Sequence, residues 1–195
     1  MEVCNQKSTI ICSLTTNIVL GSIFYYYTFI VEKDEKCLAT YISNTPQSLQ
    51  LKNGRDIVDV SQNFDQVLKL YFWSIVVNVI QDILRLFFFS WDNRKIKNTI
   101  LMLSLAYLVQ LYAFVMNNIY RLRHEGMVCS GDYQTDEQKN EEFFKLTYIE
   151  QRGQFLWVFL IVNWTMVACG LCILLLCLAQ SDSFVLLNVM QGLCV

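Results

Sequence analysis

Four apolar runs divide the chain: Thr9–Val31, Val67–Trp91, Thr99–Tyr120 and Phe155–Ala179. Each is near the roughly 20 residues that a helix needs to cross a bilayer. In hydrocarbon every backbone group must bond within its own segment, so each run is expected to be a helix. The β-rich propensity of TTNIVLGSIFYYYTFIV yields to that constraint. The first run exceeds the apolar region of a signal peptide and lacks a basic leader and a small-residue cleavage site, so it reads as a retained span. The stretch EEFFKLTYIEQRGQ predicts a helical or interfacial lead-in to span four, with Gly153 breaking the two apart.

The polar segments between the runs are unequal. Residues 32–66 and 121–154 form long loops, whereas DNRKIKN (92–98) is a tight turn. Spans two and three therefore predict an antiparallel hairpin. An even number of spans places both long loops on one face and both termini on the other. The expected fold is an all-α integral membrane protein, a single four-span domain over residues 1–195 with four transmembrane helices in an antiparallel bundle.

Polar and small residues inside the runs recur at spacings of three and four, which places them on one helix face. The stripes are Ser13, Asn17, Gly21, Phe24 and Thr28; Tyr71, Ser74, Asn78, Asp82 and Arg85; Ala106, Gln110, Ala113 and Asn117; and Asn163, Val167, Gly170, Leu174 and Cys177. Membrane helices associate through small residues and interhelical hydrogen bonds, so the stripes are expected to face one another inside the bundle. The alternative is that a stripe faces another protein.

Composition agrees with the membrane reading. Only 16% of the residues are charged and 54% are hydrophobic, against roughly a quarter charged in soluble domains. A net charge of −2 leaves no basic face for nucleic acid. The turn carries Arg94, Lys95 and Lys97, a basic density that places it in the cytosol with both termini. Raw counts over the long loops point the other way, but long loops follow the rule less strictly.

Candidate chemistry is sparse. A carboxylate in a span costs about 2.5–3.5 kcal/mol on insertion scales, which makes Asp82 the costliest residue. Arg85, three positions on, can neutralise it. The functional reading is an ion or proton path lined by Asn17, Asn78, Asp82, Gln110 and Asn117. The structural reading is a polar clamp from Asp82 to Gln110 or Asn163. Cys169-Gly-Leu-Cys172 has the spacing of a redox thiol pair. It resembles the late-span motif of four-span thiol oxidoreductases of the vitamin K epoxide reductase type, although the relay pair of that family is missing from loop 1. His124 lies beside Arg121 and Arg123 and reads as a headgroup-level residue, with Gly126 turning the chain into the loop. No metal or cofactor is implied. Cys4 and Cys194 are candidate palmitoylation positions.

Setting aside the cysteines in or beside spans and at the termini leaves Cys37 and Cys129, both near the membrane on the same face. A disulfide is expected there if that face is extracytosolic. It would close a loop of roughly 90 residues and contribute about 4 kcal/mol in the entropic account.

The arrangement of four spans, a short inner turn and outer-loop cysteines resembles tetraspan and MARVEL-type membrane proteins. The resemblance is one of topology. The CCG signature of tetraspanins is absent from loop 3 and the W-GLW-C-C pattern of claudins from loop 1, so no functional residue carries over. It implies a non-enzymatic scaffold, organiser or accessory subunit, in contact with the lipid bilayer and with other membrane proteins, as a homo- or hetero-oligomer. The alternatives are a small channel or transporter subunit around Asp82, and a thiol oxidoreductase using Cys169 and Cys172.

Overall fold

The computed structural model describes residues 2–39, 58–88, 94–133 and 148–192. Its helices are α1 (Glu2–Phe29), α2 (Val60–Phe87), α3 (Arg94–Leu103), α4 (Ala106–Leu122), α5 (His124–Cys129) and α6 (Glu150–Gly192). Two short strands, β1 (Leu38–Ala39) and β2 (Val58–Asp59), pair antiparallel at the base of loop 1. Four segments are long and apolar enough to cross a membrane: Lys7–Phe29, Val60–Phe87, Asn98–Leu122 and Glu150–Leu175. The chain is thus an all-α, multi-pass membrane protein. Residues up to Leu156 form one compact unit, and Trp157 onward a second.

Helix α2 is the hub of the first unit. Its most apolar window is 44% buried, against 6% and 11% for the spans that include α1 and α4. Helices α1 and α4 both pack on it. The stripe Tyr71, Ser74, Asn78 and Asp82 is buried, as are Phe24 and Thr28 of α1 and Ala113 and Asn117 of α4. Gly21 brings α1 close to α2: a Cβ there would sit 3.4 Å from the Ile75 side chain. Nearer the loop face, Phe24 packs on Tyr71 at 5.2 Å and Phe29 on Phe72 at 5.3 Å. Large apolar residues such as Ile18, Trp73, Leu108 and Val115 remain exposed. In a chain with four spans this greasy surface is what lipid covers.

Three local expectations are corrected. First, α3 begins at Arg94, so the basic residues of the turn lie in a helix. Second, the third span is two helices joined at Ser104–Leu105. Its amides there reach back three residues, Leu105 to Met102 and Tyr107 to Ser104, both at 3.1 Å. Ser104 Oγ donates to the Leu101 carbonyl at 2.5 Å, a back-bond that tightens and bends a helix. Third, α6 runs unbroken through Gly153. Within the second unit Val167, Gly170 and Leu174 are exposed and Asn163 is half-buried. Cys177, at the end of that stripe, and Cys4 have side chains outside the described residues, as has all of Cys194.

Glycines mark the close approaches at the loop face. A Cβ on Gly126 would collide with the backbone carbonyl of Tyr120, and one on Gly153 with Ser130. Around Gly170 there is open space. Gly126→Ala is expected to cost about 1–3 kcal/mol through overpacking, and Gly170→Ala to stay within about 0.5 kcal/mol of the parent. Chemical unfolding in detergent would show the contrast, and equal effects would contradict the packing described.

Candidate functional site

The chemistry-bearing residues gather at the loop face, where the ends of α1, α2, α4 and α6 meet the bases of both loops. Helix α1 stops where Glu32 adopts a left-handed backbone, φ 47°, a conformation costly for a residue with a Cβ. That turn aims the Glu32 carboxylate at the start of α6. Its two oxygens accept from the Gln151 amide at 2.8 Å and the Arg152 amide at 3.0 Å. The Arg152 side chain makes the return contact. Its Nε donates to the Val31 carbonyl at 2.8 Å and Nη2 to the Thr28 carbonyl at 3.2 Å. Each helix end thereby satisfies the orphan groups of the other. Arg152 is only 2% exposed.

A second arginine holds the opposite side. Arg121, 3% exposed, donates from Nη1 and Nη2 to the two oxygens of Asp132 at 2.7 and 2.9 Å. Its Nε donates to the Gly153 carbonyl at 2.9 Å. Asn117 adds a bond to the Leu156 carbonyl at 3.2 Å. Arg121 is thus a buried, bidentate connector. The chain turns at Arg123, which is extended, and Gly126 lies within α5. His124 is half-buried, its ring 5.2 Å from that of Tyr133.

A disulfide fastens the same loop bases. Cys37 and Cys129 are joined, with Cα atoms 5.9 Å apart and a sequence separation of 92. Both are fully buried. The Cys37 amide donates to Ser61 Oγ at 2.6 Å, and its carbonyl accepts from the Val60 amide at 3.1 Å. The Cys129 carbonyl accepts from the Ile149 amide at 3.0 Å. The bridge therefore ties the start of α2 to the approach to α6.

A cleft of about 570 Å³ opens beside this knot. Thr28, Phe29 and Arg152 lie along it, with Lys33, Asp34, Glu35 and Lys36 after α1 and Asp59, Ser61, Gln62, Asp65 and Lys69 around the start of α2. Asp59 is committed to capping α2 through the Gln62 amide, and Asp65 pairs with Lys69. Burial pushes the carboxyls of Glu32 and Glu35 above the ordinary glutamate range. For Glu32 this outweighs its two backbone hydrogen bonds and the nearby Arg152, and for Glu35 the neighbouring Glu32 adds to it.

Deeper in the span, Asp82 is 4% exposed. It accepts from Ser13 Oγ at 2.8 Å and from Asn17 Nδ2 at 2.9 Å, and Arg85 lies 3.8 Å from its other oxygen. The clamp thus runs to α1, where sequence reasoning named Gln110 or Asn163. Asn163 donates to the Phe159 carbonyl of its own helix, and Gln110 is half-buried on α4. Asn78 Oδ1 and both amide atoms of Gln81 are buried with no partner among the described residues. Cys169 and Cys172 are exposed free thiols one turn apart on α6. Among the described residues no three His, Cys, Asp or Glu side chains form a metal-binding group.

Sequence reasoning found Cys37, Cys129, Asp82 and Arg85 but missed the roles of Glu32 and Arg152. The available signal was positional: an acid directly after one span and a base at the start of another, where uncapped helix ends need partners. Fold and knot together define a multi-pass membrane protein whose loop bases are fastened to one another. The chain matches no family model, and neither a curated protein nor a solved structure resembles it detectably.

Removing the Arg152 side chain strands two carbonyls and the facing Glu32 carboxylate. Arg152→Ala is expected to lower stability by about 3–5 kcal/mol, and Arg152→Lys to recover little, since a point charge does not span two acceptors. Unfolding in detergent measures both. Because the Glu32 and Glu35 carboxyls titrate higher in the folded chain, their contribution is complete below the unfolded value and is lost as pH rises through the folded one. The melting temperature should therefore rise as pH falls from neutral toward the glutamate range, and the Glu32→Gln/Glu35→Gln double variant should flatten that slope.

Proposed function

We propose that the protein is a non-enzymatic four-span membrane protein that acts as a scaffold, organiser or accessory subunit and presents its loop face to partners. The observation that carries this reading is the knot itself. A disulfide and two buried arginines stiffen the bases of both loops, and stiffness at loop bases fixes the surface that the loops offer. The disulfide also supports an extracytosolic loop face, because such bonds persist in oxidising compartments. That reading agrees with the basic density of the turn, and under it the termini are cytosolic.

Purification of the full chain in mild detergent tests the proposal. Partners should co-purify in fixed proportion, and the Cys37→Ser/Cys129→Ser variant should lose them while still inserting in the membrane. Recovery of the chain alone, or an unchanged partner set in the variant, would contradict it.

A second reading, a small channel or transporter subunit, is favoured by the unpartnered atoms of Asn78 and Gln81 beside Asp82. It requires that Asp82→Asn abolish ion or proton flux in liposomes without unfolding the chain. No flux from the parent protein would remove this reading.

A further inference from the structure

Helices α1 and α2 form an apolar groove of about 360 Å³, and both of its walls come from these two helices. The walls are β-branched: Ile18 on α1, and Ile75, Val76, Val79 and Ile80 on α2. Such side chains are stiff at χ1, so the groove holds its shape. Gly21, where α1 comes close to α2, contributes no side chain to fill it. No charged residue lines the groove. Two of its polar side chains already donate within the pair, Asn17 Nδ2 to Asp82 and Ser22 Oγ to the Ile18 carbonyl, both at 2.9 Å. Tyr25 is different: it is 50% exposed, and its hydroxyl makes no hydrogen bond among the described residues.

Depth and length narrow the occupant. Helix α1 ends at Phe29, so Tyr25 lies about 6 Å and Asn17 about 18 Å below that end. Half of the hydrocarbon core is about 15 Å thick. The groove therefore runs through the loop-face leaflet and stops near the midplane. Both of its ends are bounded. The Tyr25 ring lies 5.2 Å from Phe29 and 6.0 Å from Phe72 at the upper end. At the deep end Asp82 holds Ser13 and Asn17 against α2. A partner helix needs a seam through both leaflets, and this groove is about two turns long. An acyl chain would give up several rotatable bonds to lie in it, whereas a fused ring system gives up none.

We propose that this groove binds a sterol, its fused rings between the β-branched walls over Gly21 and its hydroxyl at the Tyr25 phenol. The volume is within the range of small-molecule sites, about 300–1,000 Å³. Bound there, the sterol bridges α1 and α2 within the loop-face leaflet. The site is separate from the loop-face knot and does not depend on the scaffold reading.

The full chain would be reconstituted in dioleoyl-phosphatidylcholine vesicles with the photoreactive sterol 6-azicholestanol, irradiated, and the labelled peptides mapped by mass spectrometry. Label should concentrate on residues 17–25 and 72–80, and cholesterol should compete it away. Cholestene, which lacks the hydroxyl, should compete about fivefold less well, the scale of one neutral hydrogen bond. In Tyr25→Phe that difference should vanish. Ser22→Trp and Val76→Phe, which fill the groove from opposite walls, should each lower labelling about tenfold with the unfolding curve unchanged. Label spread evenly over all four spans, or undiminished in both filling variants, would overturn the proposal. So would competition by oleic acid equal to that by cholesterol, which would assign the groove to acyl chains. Cross-linking of two copies through residues 17–25, with sterol label absent, would assign it to a second chain and overturn the proposal as well.

Discussion

A helix that stops at the edge of a bilayer leaves four amides at one end and four carbonyls at the other without helical partners, and water is scarce where helices pack together. Here one exchange between Glu32 and Arg152 resolves part of both problems. The carboxylate takes two α6 amides, and the guanidinium takes two carbonyls at the end of α1. Each charge also lies at the helix end whose dipole favours it, the anion at an N-terminus and the cation at a C-terminus. Much of the loop-face geometry follows from this contact. It holds the start of α6 against the end of α1, and with it the Gly153 carbonyl that Arg121 reaches and the Ile149 amide that bonds to Cys129.

Within the spans a different rule applies. Apolar burial cannot choose between a neighbouring helix and lipid, so specificity rests on close approach and on hydrogen bonds. Helix α2 displays both devices at opposite ends. Toward the loop face it packs through Phe24, Tyr71 and Gly21. Toward the other face it holds α1 through Asp82, Ser13 and Asn17. Asp82 lies five residues from the end of its helix, about 8 Å at 1.5 Å per residue, and Arg85 is half-exposed beside it. A charge so near an interface is cheaper than one at mid-bilayer.

How far this arrangement is legible in the sequence depends on the distance over which each feature is encoded. The spans follow from apolar length alone, and the buried faces of α1, α2 and α4 from three–four spacing. The Cys37–Cys129 pair follows from parity: any four-span chain puts these two loops on one face, and the other cysteines lie in or beside spans or at the termini. Arg121 is a different case. Its partners, Asp132 and the Gly153 carbonyl, lie 11 and 32 residues away, and no periodicity links them. Gly153 suggests a helix break by propensity, yet it is retained within α6 because a larger residue would strike Ser130. Ser104 carries no sequence mark separating it from its apolar neighbours, and only its back-bond shows where the third span bends.

The order in which these contacts can form is constrained by the chain itself. Each span satisfies its own backbone on insertion, so α1, α2 and α4 can be in place before the knot exists. The knot needs residues from Thr28 to Arg152, because its two caps and its disulfide join segments 92 to 124 positions apart. Closing so long a loop is entropically costly for a free chain, but cost grows only with the logarithm of length, and spans already threaded through a bilayer bring the loop bases near one another beforehand. The membrane therefore performs the long-range search that the knot alone would have to drive. That division explains why so few polar contacts suffice: two arginines, two acids and one disulfide fasten ends that insertion has already gathered on a single face.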